Sequence, residues 1–151
     1  YGDTCVIDSV ANKQWLKIEP AELSMEYFVF NTICHQAAFI KRELFTKIGF
    51  YSERLKISSD WKFFVDALFK NQCSYKKINT TISWFNEDGV SSNAIGLKKI
   101  QKERRLVLVQ DHGEYLYDYY MRTYDLVTYI KHSRLIRLLK KMGFLKNLKV
   151  D

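Results

Sequence analysis

Asp60 is a carboxylate set between Ser58-Ser59 and Trp61. Three consecutive side chains, Ser58, Ser59 and Asp60, are of the kind that caps a helix N-terminus. The plain reading is a helix start. A carboxylate carried there is also held firmly enough to meet a bound hydroxyl at hydrogen-bond distance, which is what proton transfer requires. His35 and Gln36 form a polar pair inside the apolar stretch 34–40 (CHQAAFI). The plain reading of His35 is a satisfied core histidine. Neither has a second His or carboxylate at chelating spacing, so a metal-ligand role is poor. Trp61 and Trp84 offer flat apolar faces that serve a core or a stacked ligand equally well. Ser91 and Ser92 follow Gly89 in a polar loop, where Ser92 also suits the cap of the next helix. No Cys–His or Ser–His–Asp nucleophile set and no glycine-rich phosphate loop is legible.

These residues need elements to position them. Residues 1–8 (YGDTCVID) read as a strand, with 14–19 (QWLKIE) paired to it in a hairpin. Pro20 marks a boundary, and 21–31 reads as a short helix with Leu23, Tyr27, Phe28 and Phe30 inward. Residues 41–48 form an amphipathic helix closed by Gly49. From Asp60 to Asn71, Trp61, Phe64, Val65, Leu68 and Phe69 recur at helical spacing. Residues 74–85 read as a strand with Ile78, Thr80, Ile82 and Trp84 on one face. Beyond residue 96 the pattern is helical: 98–111, 114–130 and about 133–142, with His112-Gly113 as a break.

The charge is unevenly placed. Residues 1–93 hold 11 basic and 11 acidic side chains, whereas residues 94–151 hold 13 and 6 and so supply the whole net +7. A neutral body of residues 1–93 and a cationic tail of residues 94–151 is the expected organisation, and the tail suits an anionic surface. Cys5, Cys34 and Cys73 have no framework spacing and read as free thiols of a reducing compartment. No apolar run is long enough to cross a bilayer. A chain opening on Tyr1-Gly2-Asp3 is expected to continue a larger protein upstream.

Five stretches in order resemble family 2 glycosyltransferases of the GT-A fold, especially the bacterial cell-surface polysaccharide type. They are Tyr1-Gly2-Asp3; His35-Gln36-Ala37-Ala38-Phe39-Ile40-Lys41-Arg42; Leu44-Phe45-Thr46-Lys47-Ile48-Gly49-Phe50-Tyr51, continued by Ser52-Glu53; Ser59-Asp60-Trp61-Lys62-Phe63-Phe64; and Asp88-Gly89-Val90-Ser91-Ser92. The resemblance implies an α/β fold: the C-terminal, acceptor-binding half of a GT-A (Rossmann-like) domain in residues 1–93, then a basic helical tail in residues 94–151. It implies inverting hexosyl transfer from a nucleotide-sugar to a glycan or lipid-linked acceptor. Asp60 would be the catalytic base, and His35, Gln36, Ser59, Trp61, Ser91 and Ser92 would line the substrate site. The family more often has Glu-Asp where this chain has Ser59-Asp60, so a second carboxylate is missing. A divalent metal, Mg or Mn, usually holds the diphosphate; its Asp-containing motif would precede Tyr1, and Asp3 is not that residue. Many relatives carry a His near the end of the last strand, where this chain has Trp84-Phe85-Asn86.

The tail admits two readings. Leu135, Ile136, Leu138, Leu139 and Met142 lie on one side of a helix and Arg134, Arg137, Lys140 and Lys141 on the other, as in an interfacial amphipathic helix. Tyr115, Tyr117, Tyr119, Tyr120, Tyr124 and Tyr129 add a residue type favoured at membrane interfaces. The expectation is a cytoplasmic protein peripheral to the anionic leaflet; the alternative is a helical subdomain packed on the body. The competing class is a non-catalytic basic helical module that binds membrane, or nucleic acid through Lys98, Lys99, Lys102, Arg104 and Arg105; a purely structural helical adaptor is the third reading. No nucleic-acid-binding motif supports the nucleic-acid reading, and nucleic acid is not expected as a partner.

Overall fold

The computed structural model describes residues 1–87 and 94–142. Asp88, Gly89, Ser91 and Ser92 lie outside the described residues. The described chain is mixed α/β, with three strands and six α-helices. It forms two compact units, Tyr1–Val107 and Leu108–Asp151.

In the first unit, β1 (Asp3–Asp8) is the centre of a three-stranded sheet. It pairs antiparallel with β2 (Lys13–Lys17), Thr4 facing Lys17 and Asp8 facing Lys13. The turn between them is set by Asp8, whose Oδ1 accepts from the N–H groups of Val10 (3.0 Å) and Ala11 (2.8 Å). This is the local bond that makes Asp a turn former. On its other side β1 pairs parallel with β3 (Thr81–Asn86), with a register shift between Asp3 and Thr4.

The strand expected over 74–85 is thus confined to 81–86. Residues 76–80 instead wrap the start of β1: the Tyr1 amino group donates to the Lys76 carbonyl (3.0 Å), Ile78 N–H to Tyr1 O (2.8 Å) and Asp3 N–H to Thr80 O (2.9 Å). Gly2 permits that close path, since a Cβ there would lie 2.7 Å from the Thr80 carbonyl oxygen. Trp84, expected in the core or on a ligand, is 68% exposed on this edge strand, and Ile78 is exposed too. Regular strand structure begins only at Thr81.

The helices follow their signals more closely. α1 (Met25–Phe30) starts at Ser24, whose Oγ accepts from Tyr27 N–H, and buries Phe28 and Val29. A 3-10 turn covers His35–Ala37. α2 (Arg42–Ile48) ends at Gly49, where φ is +103° and a side chain would be strained. α3 (Ser59–Val65) passes into a π-helical segment, Asp66–Lys70. The periodicity predicts a single α-helix over 60–71; its last turn is in fact widened, with Asn71 N–H bonding back to Asp66 O at 2.9 Å. Trp61, Phe64 and Val65 are buried as expected, and so is Phe63, stacked on Phe45 at 4.7 Å.

Beneath β1 lies a polar core that the sequence did not announce. Glu19 has a fully buried side chain that bonds Lys17 Nζ (2.8 Å), Tyr27 OH (2.7 Å) and Cys34 N–H (3.2 Å). Asp3 accepts from Glu19 N–H (2.9 Å) and pairs with Lys77 (3.2 Å). A buried carboxylate is tolerated only when so many donors meet it. Burial, then the bond to Glu19, raises the Tyr27 phenol well above its ordinary pKa.

α4 (Ala94–His112) contributes its first part to this unit. The second unit contains α5 (Glu114–His132) and α6 (Arg134–Lys141). Gly113, at φ +83°, separates α4 from α5. Tyr115, Tyr129, Leu135, Leu138 and Met142 are exposed. No helix of the described residues is long and apolar enough to cross a membrane.

Candidate functional site

Two of the residues singled out by the sequence meet. Asp60, in the first turn of α3, and His35, in the 3-10 turn, lie with Asp60 Oδ2 2.9 Å from His35 Nδ1. Neither is sealed: the side chains are 23% and 46% exposed. Asp60 Oδ1 accepts from the Trp61 N–H at 2.7 Å. Both carboxylate oxygens are therefore held, yet each oxygen keeps lone-pair capacity for a further donor.

The other expected site residues are placed differently. Ser59 Oγ donates to the Ser52 carbonyl (3.0 Å), which ties the 50s loop to the start of α3. Gln36 is exposed, with its Oε1 2.8 Å from Cys34 Sγ. Trp61 is fully buried, so the stacking role is corrected. Its Nε1 donates to Phe28 O (2.7 Å) and the Arg104 guanidinium lies 5.2 Å over its ring, leaving no face for a ligand.

The expected serine cap is also corrected. Ser58 stands at the N-cap without a side-chain bond to the helix, and of the three expected capping residues Asp60 alone accepts from a first-turn N–H, that of Trp61. The donors ahead of α3 go to Glu103 of α4, whose carboxylate accepts from Lys56 N–H (2.8 Å), Ile57 N–H (3.1 Å) and Ser58 N–H (2.9 Å). Arg104 beside it turns inward, donating to Asn31 O at 3.1 Å. It is not part of an exposed basic surface. Burial pushes its guanidinium down to about 10, against the opposing pull of Asp60 and Tyr27, so it stays charged at neutral pH. Tyr51 adjoins the same charge: burial first, then Asp60, raises its phenol. Glu103, Arg104 and Tyr51 were missed as site neighbours. Tyr51 lay within one of the quoted stretches; the Glu103-Arg104 pair was hidden in what read as a basic helix.

Burial works to raise the Glu103 carboxyl, but the three backbone donors outweigh it and hold the group below its ordinary value. A depressed folded value means stabilisation that is complete above the unfolded pKa, about 4.3, and is lost as pH falls through the folded one. Glu103→Gln should cost about 1–2 kcal/mol at pH 7, the low end for bonds to a charged acceptor at a half-exposed site. Urea unfolding of both proteins from pH 7 to pH 3 measures it. The gap should close toward the acid end, and a gap constant with pH would refute this account.

Among the described residues no three His, Cys, Asp or Glu side chains gather as a metal site. The His35–Asp60 pair alone does not make one. A cavity of about 530 Å³ opens elsewhere in the same unit, walled by Ile33, Phe39, Phe63, Phe64, Leu68 and Tyr75; neither Asp60 nor His35 lines it.

Over 103 residues the chain is 31% identical to a PGL/p-HBAD biosynthesis glycosyltransferase of Mycobacterium bovis, and to its counterpart in Mycobacterium tuberculosis with the same figures. The alignment covers 68% of this chain and 38% of each relative, so the match spans well under half the length of those proteins. No protein-family profile matches the chain. No solved structure matches it. The chain is therefore related in sequence to a mycobacterial glycosyltransferase over two-thirds of its own length.

Proposed function

We propose that this chain is the acceptor-side part of a family 2 glycosyltransferase of the GT-A fold, which transfers a hexosyl group from a nucleotide-sugar to a glycan or lipid-linked acceptor with inversion. Sequence similarity to glycosyltransferases of PGL/p-HBAD biosynthesis supports the reaction class. The observation that carries the site is the meeting of Asp60 and His35, from two separate stretches of the resemblance, at 2.9 Å on a partly open surface. In this reading the Asp60 carboxylate drives removal of the acceptor hydroxyl's proton while that oxygen attacks the anomeric carbon and the nucleoside diphosphate departs. The donor's nucleotide, and the divalent ion expected at its diphosphate, would find their ligands outside the described residues.

The test is the stereochemistry of the product. Full-length protein given a nucleotide-sugar and a lipid-linked acceptor should yield the anomer opposite to the donor's, read by NMR. Product of retained configuration would end the single-displacement reading. The exposed Leu135, Leu138 and Met142, with the basic residues around them, suit a place on an anionic cytoplasmic leaflet. Co-sedimentation of the same protein with anionic but not neutral vesicles is expected. Equal recovery in the supernatant with both would remove the membrane from the proposal.

A further inference from the structure

Resting on the glycosyltransferase reading, we propose that the proton of the acceptor hydroxyl is received by His35 Nε2, with Asp60 orienting the imidazole and balancing its charge. The assignment differs from that of a lone carboxylate base, and it comes from which atoms are already engaged. His35 Nδ1 lies 2.9 Å from Asp60 Oδ2. A carboxylate at that distance takes the Nδ1–H, and so fixes the tautomer in which Nε2 carries the lone pair. Nε2 makes no hydrogen bond to any described residue, and the side chain is about half exposed. Asp60 is the more enclosed partner, its Oδ1 on the Trp61 N–H and its Oδ2 on the ring. The imidazole is thus the more open of the two side chains and carries the ring nitrogen not engaged by a described residue.

The surroundings fit a pair of this kind. Among the described residues, His35 from the 3-10 turn touches Asp60, and Tyr51 from the 50s loop and Arg104 from α4 feel its charge. Arg104 is committed to Asn31 O and to the Trp61 ring, so it does not compete for Nε2. Imidazole is the side chain whose charge changes near neutral pH, which suits it to take up a proton and release it each turnover. The step balances. The acceptor O–H bond breaks and its proton goes to Nε2; the oxygen bonds the anomeric carbon; the bond from that carbon to the diphosphate oxygen breaks and its electron pair leaves with the nucleoside diphosphate. The imidazolium, paired with Asp60, then returns the proton to water.

The experiment compares full-length wild type with His35→Asn and His35→Ala, measuring kcat and KM for the acceptor across pH. Asparagine can place its amide N–H where Nδ1–H stood, keeping the tie to Asp60 while removing Nε2. Both variants should lose at least about a hundredfold in kcat, the scale of a lost general base. KM should change little, and the acid limb of the wild-type kcat profile should disappear. Asp60→Asn combined with His35→Asn should be scarcely worse than the poorer single variant, because the two act as a unit. Recovery of near wild-type turnover by His35→Asn, with His35→Ala impaired, would make the contact a structural tie and overturn the proposal. So would an acid limb unchanged in both variants. Wild type that transfers no sugar to any acceptor would fell the glycosyltransferase reading itself, and this inference with it. Active wild type with indifferent His35 variants would fell the inference alone.

Discussion

Asp60→Asn in the full-length protein is expected to slow sugar transfer by at least about a hundredfold while nucleotide affinity barely changes. The substitution preserves size and removes only the charge. Asparagine at position 60 still fills the space at the first turn of α3, so the fold around Ser59, Trp61 and Ser52 should hold. What is lost is an acceptor for the His35 Nδ1–H and a counter-charge for any imidazolium that forms. An amide facing the ring can present its N–H instead, which reverses the tautomer. Donor binding is assigned to groups outside the described residues, so titration with the nucleotide should give the wild-type affinity. Turnover within about threefold of wild type would refute the role of this carboxylate, since loss of a general-base unit costs far more than that.

Trp61→Ala should be the most destabilising single change in the first unit, by about 3–5 kcal/mol. The side chain is fully buried between α1 and α3. Its removal opens a cavity and leaves the Phe28 carbonyl without its indole donor. It also takes the ring from beneath a guanidinium that is itself largely withdrawn from water. A domain's whole stability is about 5–15 kcal/mol, so the variant should stand near the edge of folding. Trp61→Phe separates the terms: it restores most of the apolar contact but not the hydrogen bond, and should cost about 1–3 kcal/mol. Urea midpoints of the three proteins measure both. A loss below about 1 kcal/mol for the alanine variant would show that the core does not rest on this ring.

The contrast between the two tryptophans shows what the sequence could and could not reveal. Trp61 recurs with Phe64 and Val65 at helical spacing, and a strong periodic signal predicts burial well. Trp84 sits in an equally tidy alternation, but β3 is an edge strand and half of an edge strand's surroundings are decided by what lies beside it. The β1–β2 hairpin was legible because Asp8 and the polar turn after it are local. The parallel β1–β3 pairing was not, because nothing near Thr81 specifies a partner so distant in sequence. His35 and Asp60 were both singled out, but only folding shows that they touch. The donors ahead of α3 looked like the business of three neighbouring side chains; their acceptor, Glu103, arrives from another helix. Contacts of that range leave no mark in spacing.

That last bond has a practical consequence for cutting and splicing the protein. A boundary drawn after β3, where the charge pattern changes, would discard the carboxylate that anchors residues 56–58 just ahead of Asp60. Chimeras that borrow a C-terminal region from another protein should keep this chain's own residues through Val107. A graft joined earlier would leave residues 56–58 without the acceptor for their N–H groups, and loss of turnover would then be misread as a failure of the transplanted part.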